Sequence, residues 1–377
     1  MKNGGAVLPL KLADHRTIAV VGPYQNATSL MQGGYSGQSV IISSHSPGRA
    51  LSQRVAAANS AARLLWAIGS DNNSTDAIPA AVATVQQADV ALLFVGDTHV
   101  SEFSDRTDNG LDYGQEALIE AVCATNTPTV VIVIGGHSIE LSRAKSDCDA
   151  ILFAFLPSEF GGDAIIGTIF GDCSPAGRLP VTFYDHTIME TRDPVDMELR
   201  TGSGITYQHY RGTPLWEFGF GLSYTTFAFE WSDVPLRSSS TNAVIRRHAV
   251  LRYAVKVTNT GHRASSVCVL GFVNGSGVDK GVSSGGGDPS PPIRELFNFT
   301  RVWLEAGAST TVELELGPDV LASTNAAGIQ AVRAGEYTVA VGGVGRAGRA
   351  QDGAATTSLV LRGASETTFS FPDLRAR

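Results

Sequence analysis

The loop Gly96-Asp97-Thr98-His99-Val100-Ser101-Glu102-Phe103-Ser104-Asp105-Arg106 gathers two aspartates, a glutamate and an arginine directly behind an unbroken apolar run. A glutamate whose pKa is raised by burial or by a neighbouring carboxylate can donate a proton to a leaving oxygen, so Glu102 is a candidate general acid/base. Arg106 is placed either to be fixed by Asp105 or to hold a substrate hydroxyl. The competing reading is a solvated polar loop without chemistry. A second apolar run ends in Gly135-Gly136-His137-Ser138, where His137 either lines a cleft or caps local hydrogen bonds. A third segment, Gln32-Gly33-Gly34-Tyr35-Ser36-Gly37, follows Gly22-Pro23 and reads as a plain turn or as a loop shaping a binding cleft. Pro23 and the delay before the glycines break the register of a dinucleotide fingerprint. Gly-x-Ser-x-Gly, His-Glu-x-x-His and P-loop patterns are absent, which leaves serine hydrolase, zinc hydrolase and nucleotidase readings without an anchor.

The elements that must position these loops alternate along the first two-thirds of the chain. Ile18–Gly22, Arg63–Ile68, Asp89–Gly96, Thr129–Gly135 and Ala150–Phe155 read as strands. Pro47–Ala58, Asp76–Gln87, Gly114–Ala124 and Gly161–Phe170 read as helices between them, and Leu179–Phe183 leads into the last part of this region. Unbroken apolar runs, unlike period-two alternation, imply strands buried on both faces of a mainly parallel sheet. Such a chain forms a layered α/β domain whose ligands sit beyond the carboxyl ends of the strands. The texture changes after Phe229. Ser238-Ser239-Ser240-Thr241-Asn242 is a polar connector, and Val250–Thr258, Val267–Val273, Thr300–Leu304, Thr311–Leu316 and Gly335–Val341 are short strands without a convincing helix among them. A small β-sandwich accounts for that pattern. Val278–Pro292 is a Gly/Ser/Pro-rich loop.

Composition narrows the function classes. A chain of 377 residues has room for two cores. A net charge of −8 with no basic cluster interleaved with aromatics argues against a nucleic-acid partner. Apolar runs are all too short for a membrane-spanning helix. No cofactor fingerprint or paired metal-ligand spacing is legible, and the four cysteines read as buried thiols, with Cys148–Cys173 the disulfide considered. Asn-x-Ser/Thr triplets occur at Asn26, Asn72, Asn73, Asn274 and Asn298 and are compatible with a secretory history. Lys2–Leu10 runs straight into the first strand with no legible signal segment, which reads as the second half of a larger architecture.

Several ordered segments carry a resemblance. They are Lys2-Asn3-Gly4-Gly5-Ala6-Val7-Leu8-Pro9-Leu10, Ile18–Pro23, the Gln32–Gly37 loop, Ser101–Arg106 with Leu111–Gln115, and Ser174-Pro175-Ala176-Gly177-Arg178-Leu179-Pro180-Val181-Thr182. The most specific is Thr206–Phe227, with its ordered glycines and aromatics around Pro214-Leu215-Trp216-Glu217-Phe218-Gly219, and Gly335–Val339 adds a strand near the end. Together they resemble glycoside hydrolase family 3, in its β-xylosidase and β-glucosidase-like branch, after the N-terminal barrel. The resemblance implies an inter-domain segment over residues 1–13, a layered α/β sandwich domain over 14–228, a linker over 229–244 and a fibronectin type III-like β-sandwich over 245–377. It implies a retaining exo-acting β-glycosidase acting on β-linked xylose- or glucose-containing oligosaccharides, without cofactor or metal, in a secretory or extracellular setting. Two carboxyl groups about 5–5.5 Å apart do that chemistry, one as nucleophile and one as acid/base. In the family the nucleophilic aspartate comes from the barrel, so a separate barrel half is the implied partner, with a homo-oligomer as the other arrangement. Glu102 takes the acid/base role, and Tyr35, Asp105, Arg106 and His137 are the implied substrate-binding residues. β-Xylosidase relatives place an Ile-Glu-Ala-Glu-type segment before Asp-Arg. This chain has a shorter loop with one glutamate, so Glu102 aligns with either the acid or the second, non-catalytic glutamate. The resemblance therefore leaves a second function open, that of a non-catalytic carbohydrate-binding or structural module.

Overall fold

The two longest apolar runs become the centre of a six-stranded sheet. The computed structural model describes residues 1–33, 45–58, 61–71, 73–97, 108–193, 195–232, 242–244, 250–278, 292–324, 329–342, 354–362 and 366–370. They divide into two compact units. The first comprises Met1–Pro175, Thr182–Asp196 and Thr213–Trp216; the second comprises Ala176–Val181, Met197–Gly212 and Glu217–Arg377.

The sheet of the first unit contains β1 (Lys2–Asn3), β2 (Thr17–Val21), β3 (Arg63–Ala67), β4 (Val90–Gly96), β5 (Thr129–Ile134) and β6 (Ala150–Phe155), in the order β1-β6-β5-β4-β2-β3. Every residue of β4 and β5 is buried, as unbroken apolar runs require of central parallel strands. β2 to β6 are mutually parallel, and only the two-residue β1 runs antiparallel, against β6. Nothing in the sequence of Lys2–Asn3 signals a strand; its pairing comes from tertiary placement. The chain goes from β2 outward to β3 and returns across β2 to β4, so the strand order reverses between β2 and β4. Gly22 closes this point. Its φ is +107°, and a Cβ there would stand 2.1 Å from the carbonyl oxygen of Phe94.

The helices α1 (Pro47–Ala57), α2 (Ile78–Val85), α3 (Tyr113–Cys123) and α4 (Ser142–Asp147) connect strands β2 to β6, and α5 (Gly161–Ile169) follows β6. α1 begins with proline in its first turn, where a missing N–H has no cost, and α3 buries Gln115, Leu118, Ile119 and Val122 along one face. Gly162 lets α5 meet the start of α1, since a Cβ there would lie 2.1 Å from the carbonyl oxygen of His45. The cysteine expectation is overturned. Cys148, just before β6, is bonded to Cys123 at the end of α3 with a Cα–Cα distance of 5.1 Å, while Cys173 is an exposed thiol. The pairing follows from α3 and the turn before β6 lying side by side, which sequence spacing does not reveal. At the end of Leu179–Phe183, Phe183 forms an isolated antiparallel bridge with Trp216. Two single-turn helices, α6 (Thr187–Thr191) and α7 (Thr206–His209), follow, in the first and second unit respectively.

The second unit is a β-sandwich. One sheet has the order β11 (Glu295–Leu304), β10 (Ser265–Val278), β15 (Gly335–Val341), β16 (Ala355–Arg362), β8 (Asn242–Val244). The other runs β12 (Ser309–Leu316), β9 (Leu251–Asn259), β7 (Phe227–Trp231). Alternate residues of both sheets meet in one core, with Val255, Val257, Val312 and Leu314 facing Val267, Val269, Leu304 and Val341. A small third sheet pairs β13 (Ala322–Thr324), β14 (Ile329–Val332) and β17 (Glu366–Ser370). Among the described residues after β7, the single turn α8 (Pro318–Leu321) is the one helix.

Candidate functional site

The exit of the chain from β4 is held from both sides. Gln115 of α3, fully buried, accepts the Gly96 N–H at 2.9 Å and donates its Nε2–H to the Gly96 carbonyl at 2.8 Å. The Asp97 N–H then donates to the Ile134 carbonyl at 3.0 Å, extending the β4–β5 ladder one residue past the strand. Asp97 is thereby fixed at the carboxyl edge of the sheet with its side chain 1% exposed. Its Oδ2 meets Nε2 of His137, which stands three residues past the end of β5 and is a quarter exposed. A carboxylate only accepts, so with Asp97 ionised the shared proton belongs to Nε2. This contact fixes the plane of the imidazole and leaves the ring partly open to solvent. The result is an oriented histidine at the strand ends, able to bond a hydroxyl group.

The loop between Asp97 and Asp108 is anchored beside this pair at both ends. After α3's neighbour loop begins at Asp108, the Asn109 carbonyl accepts the Glu140 N–H at 2.7 Å, tying it to the segment that follows His137. The Asn109 side chain donates to the carbonyls of Tyr184 and Asp185 at 3.3 and 3.4 Å. Gly33, at φ +71°, sits against Leu156 just after β6, and the Ser158 N–H donates to the Met31 carbonyl at 2.8 Å. Anchors of three loops thus gather at the carboxyl ends of β4, β5 and β6, the edge where parallel sheets hold ligands.

Of the sequence-derived candidates, His137 is described and is paired with Asp97. Tyr35, Glu102, Asp105 and Arg106 lie outside the described residues. The Asp97–His137 partnership joins positions 40 apart and carries no local sequence signal; the adjacency of β4 and β5 creates it. A second group that sequence reading missed is Glu116 on α3. Burial, with the charge of Glu140 adding to it, pushes its carboxyl up to about 7. Among the described residues no cluster of three or more His, Cys, Asp or Glu is arranged to hold a metal ion, and no helix is long and apolar enough to cross a membrane.

The most ordered aromatic stretch does structural work. Tyr207 stacks on Phe218 at 4.4 Å, and both meet the edge or face of Phe272 at 6.2 and 6.0 Å. Arg294, 8% exposed, lies 5.0 Å over the Phe272 ring and 3.1 Å from Glu217. Gln208 donates to Glu295 at 2.7 Å. Burial and the nearby Arg200 lower the pKa of His209 below its ordinary value.

Comparison with known proteins agrees with this architecture. Residues 1–224 match the model of the glycosyl hydrolase family 3 C-terminal domain, and residues 282–344 that of a fibronectin type III-like domain. The chain is 33% identical over 360 residues to a probable exo-1,4-β-xylosidase, bxlB, of Aspergillus oryzae; the match covers 90% of this chain and 42% of that protein. The solved structure of a family 3 exo-β-xylosidase, XlnD, in complex with a xylobiose aziridine probe superposes with a TM-score of 0.83 at 26% identity. That superposition covers 99% of this chain and 48% of the other. A β-glucosidase from Erythrobacter marinus gives a TM-score of 0.72 at 28% identity, over 96% of this chain and 48% of its own. The chain spans less than half the length of the curated relatives it matches, and the matched part leaves out their N-terminal catalytic barrel. It belongs to glycosyl hydrolase family 3, of which it carries the C-terminal α/β domain and a fibronectin type III-like β-sandwich.

Proposed function

We propose that these 377 residues act as the non-catalytic, sugar-facing module of a family 3 β-xylosidase-like enzyme, binding the substrate rim without cleaving it alone. The observation that carries this reading is the buried Asp97 carboxylate holding His137 at the strand ends, between the anchors of the loop that bears Glu102, Asp105 and Arg106. An imidazole fixed in this way offers a directional hydrogen bond to a sugar hydroxyl, with Arg106 and Tyr35 as further contacts. Retaining hydrolysis needs a nucleophile and an acid/base about 5–5.5 Å apart. The six-stranded sheet is not the barrel that supplies the family's nucleophile, so one carboxylate of the pair has no counterpart here. The names of the relatives make a β-linked xylo-oligosaccharide the first ligand to try.

A second reading has its own support. Joined to a barrel half, the same rim would place Glu102 as acid/base of a complete exo-β-xylosidase. The coverage of the family model over residues 1–224 favours that arrangement, while the shortened loop with its single glutamate weighs against it. The test uses the purified chain. Aryl β-xylosides and β-glucosides are expected to hydrolyse no faster than in buffer, while xylobiose titrated into the protein moves the His137 ring resonances. Turnover that Glu102→Gln abolishes would refute the non-catalytic reading. His137 resonances that stay still across the titration, in a folded protein, would refute the sugar-facing one.

A further inference from the structure

We propose that Asn73 is an N-glycan acceptor and that its glycan shields the free edge of the six-stranded sheet. Five Asn-x-Ser/Thr triplets stand in the sequence, and the fold separates them. Asn298 lies within β11 and its amide nitrogen donates to the Glu315 carbonyl at 3.2 Å. Asn274 lies inside β10, paired with Thr338 of β15. The side-chain oxygen of Asn26 is turned onto α1, so close to Gly48 that a Cβ there would stand 2.5 Å from it. Asn72 lies outside the described residues. Asn73 differs from these. It is exposed, it sits in the loop joining β3 to α2, and its amide makes no hydrogen bond among the described residues. The loop is shaped instead by its neighbours. Ser70 Oγ donates to the Ser74 carbonyl at 3.0 Å, the Ser74 N–H to Asp71 at 2.9 Å, and the Asp76 N–H to Ser74 Oγ at 3.1 Å. A glycan on Asn73 therefore displaces no contact that holds the loop.

An independent observation places the chain where such transfer occurs. Cys123 and Cys148 are joined, with Cys148 only 1% exposed, and protein disulfides form and persist in oxidising, secretory compartments. The chemistry there is a group transfer from a lipid-diphosphate-linked oligosaccharide. The Asn73 amide nitrogen bonds to the anomeric carbon, the bond from that carbon to the diphosphate oxygen breaks, and the amide gives up one proton as the lipid diphosphate leaves.

The position also has a physical purpose. Among the described residues β3 pairs only with β2, so its other side is a sheet edge. Trp66 and Ile68, at this edge, are 41% and 58% exposed. An unpaired, apolar edge strand invites pairing with other chains unless it is covered or charged. Asn73 is five residues from Ile68, so a glycan there starts within about 18 Å of it along the chain.

The test is site-resolved. The full chain is secreted from a yeast behind a cleavable leader, treated with a glycosidase that converts each occupied asparagine to aspartate, and digested with trypsin. The peptide Leu64–Arg106 holds Asn72 and Asn73 and no other triplet. Conversion is expected at residue 73, retained in Asn72→Gln and lost in Thr75→Ala, which removes the Asn73 triplet but keeps that of Asn72. The Thr75→Ala protein is expected to show a several-fold larger aggregated share in size-exclusion chromatography at equal concentration. An unconverted peptide in secreted wild-type protein, or conversion at residue 72, would overturn the assignment. Equal aggregation of the occupied and unoccupied forms would overturn the shielding role.

Discussion

Replacing Glu116 by glutamine should make the α/β unit less sensitive to pH, in a direction opposite to that of most carboxylates. Burial holds the Glu116 carboxyl at about 7 against an ordinary 4.5, with the Glu140 charge reinforcing the shift and the Leu111 N–H and Arg143 guanidinium opposing it. Between those two values the folded chain keeps a proton that the unfolded chain has released, so unfolding is favoured progressively as pH rises. The contribution of this site to stability is thus unimpaired below pH 4.5 and is lost through pH 7. A separation of about 2.5 pKa units corresponds to about 3 kcal/mol once both states have titrated. Glutamine keeps the shape and an acceptor for the Leu111 N–H but does not ionise. The variant and wild type should therefore melt together near pH 4.5 and diverge above it, the variant higher by about 6–12 °C at pH 8 for a domain of this size. Differential scanning calorimetry over pH 4.5–8.5 reads this difference, and groups common to both proteins cancel from it. Glu140→Gln should reproduce part of the effect by removing the neighbouring charge. A wild-type-to-variant difference that is flat with pH, or that closes toward high pH, would refute the reasoning.

Two further predictions rest on buried polar partners. Asp97→Ala should destabilise the α/β unit by about 1–3 kcal/mol through the buried contacts it removes, and should free the His137 ring to reorient, read as changed imidazole chemical shifts by NMR. Glu217→Leu should destabilise the β-sandwich unit by about 3–5 kcal/mol in urea unfolding, because it removes the carboxylate that faces the buried Arg294 guanidinium, whereas adding Arg294→Met should recover most of the loss. Equal instability of the single and double variants would show that the packing, and not the charge, accounts for the cost.

The fold was legible where one residue pattern answers to one environment. The apolar runs of β4 and β5 predict strands buried on both faces, and both are buried throughout. The alternation of Val255, Val257, Val312 and Leu314 predicts one inner face, and all four lie in the sandwich core. Elements without a pattern of their own were not legible. β1 is a strand because Lys2 and Asn3 reach β6, and the Asn3 side chain then closes a ring of two hydrogen bonds with Leu8. β16 has alternating apolar residues at Ala355, Leu359 and Leu361, but it follows a Gly/Arg-rich stretch that hides its start. The Cys123–Cys148 bond belongs with β1, since both depend on which elements become neighbours.

Of the candidate site residues, His137 is the one among the described residues, and its pairing was not legible in the sequence. Post-strand position singled out His137, but its partner stood just past the end of another strand, made its neighbour by sheet order. The stretch most diagnostic of the family, Thr206–Phe227, is built around contacts that cannot be exchanged singly. Tyr207, Phe218 and Phe272 form one aromatic cluster, and the buried Arg294 meets both Glu217 and the Phe272 ring. Such residues are constrained by packing whether or not chemistry follows. The residues that flank the loop bearing Glu102 are part of the same framework: Gln115 and Ile134 hold Gly96 and Asp97 on one side, and the Glu140 N–H holds the Asn109 carbonyl on the other. The family signature therefore reports the framework and not the chemistry, and catalytic competence has to be tested at Glu102 itself.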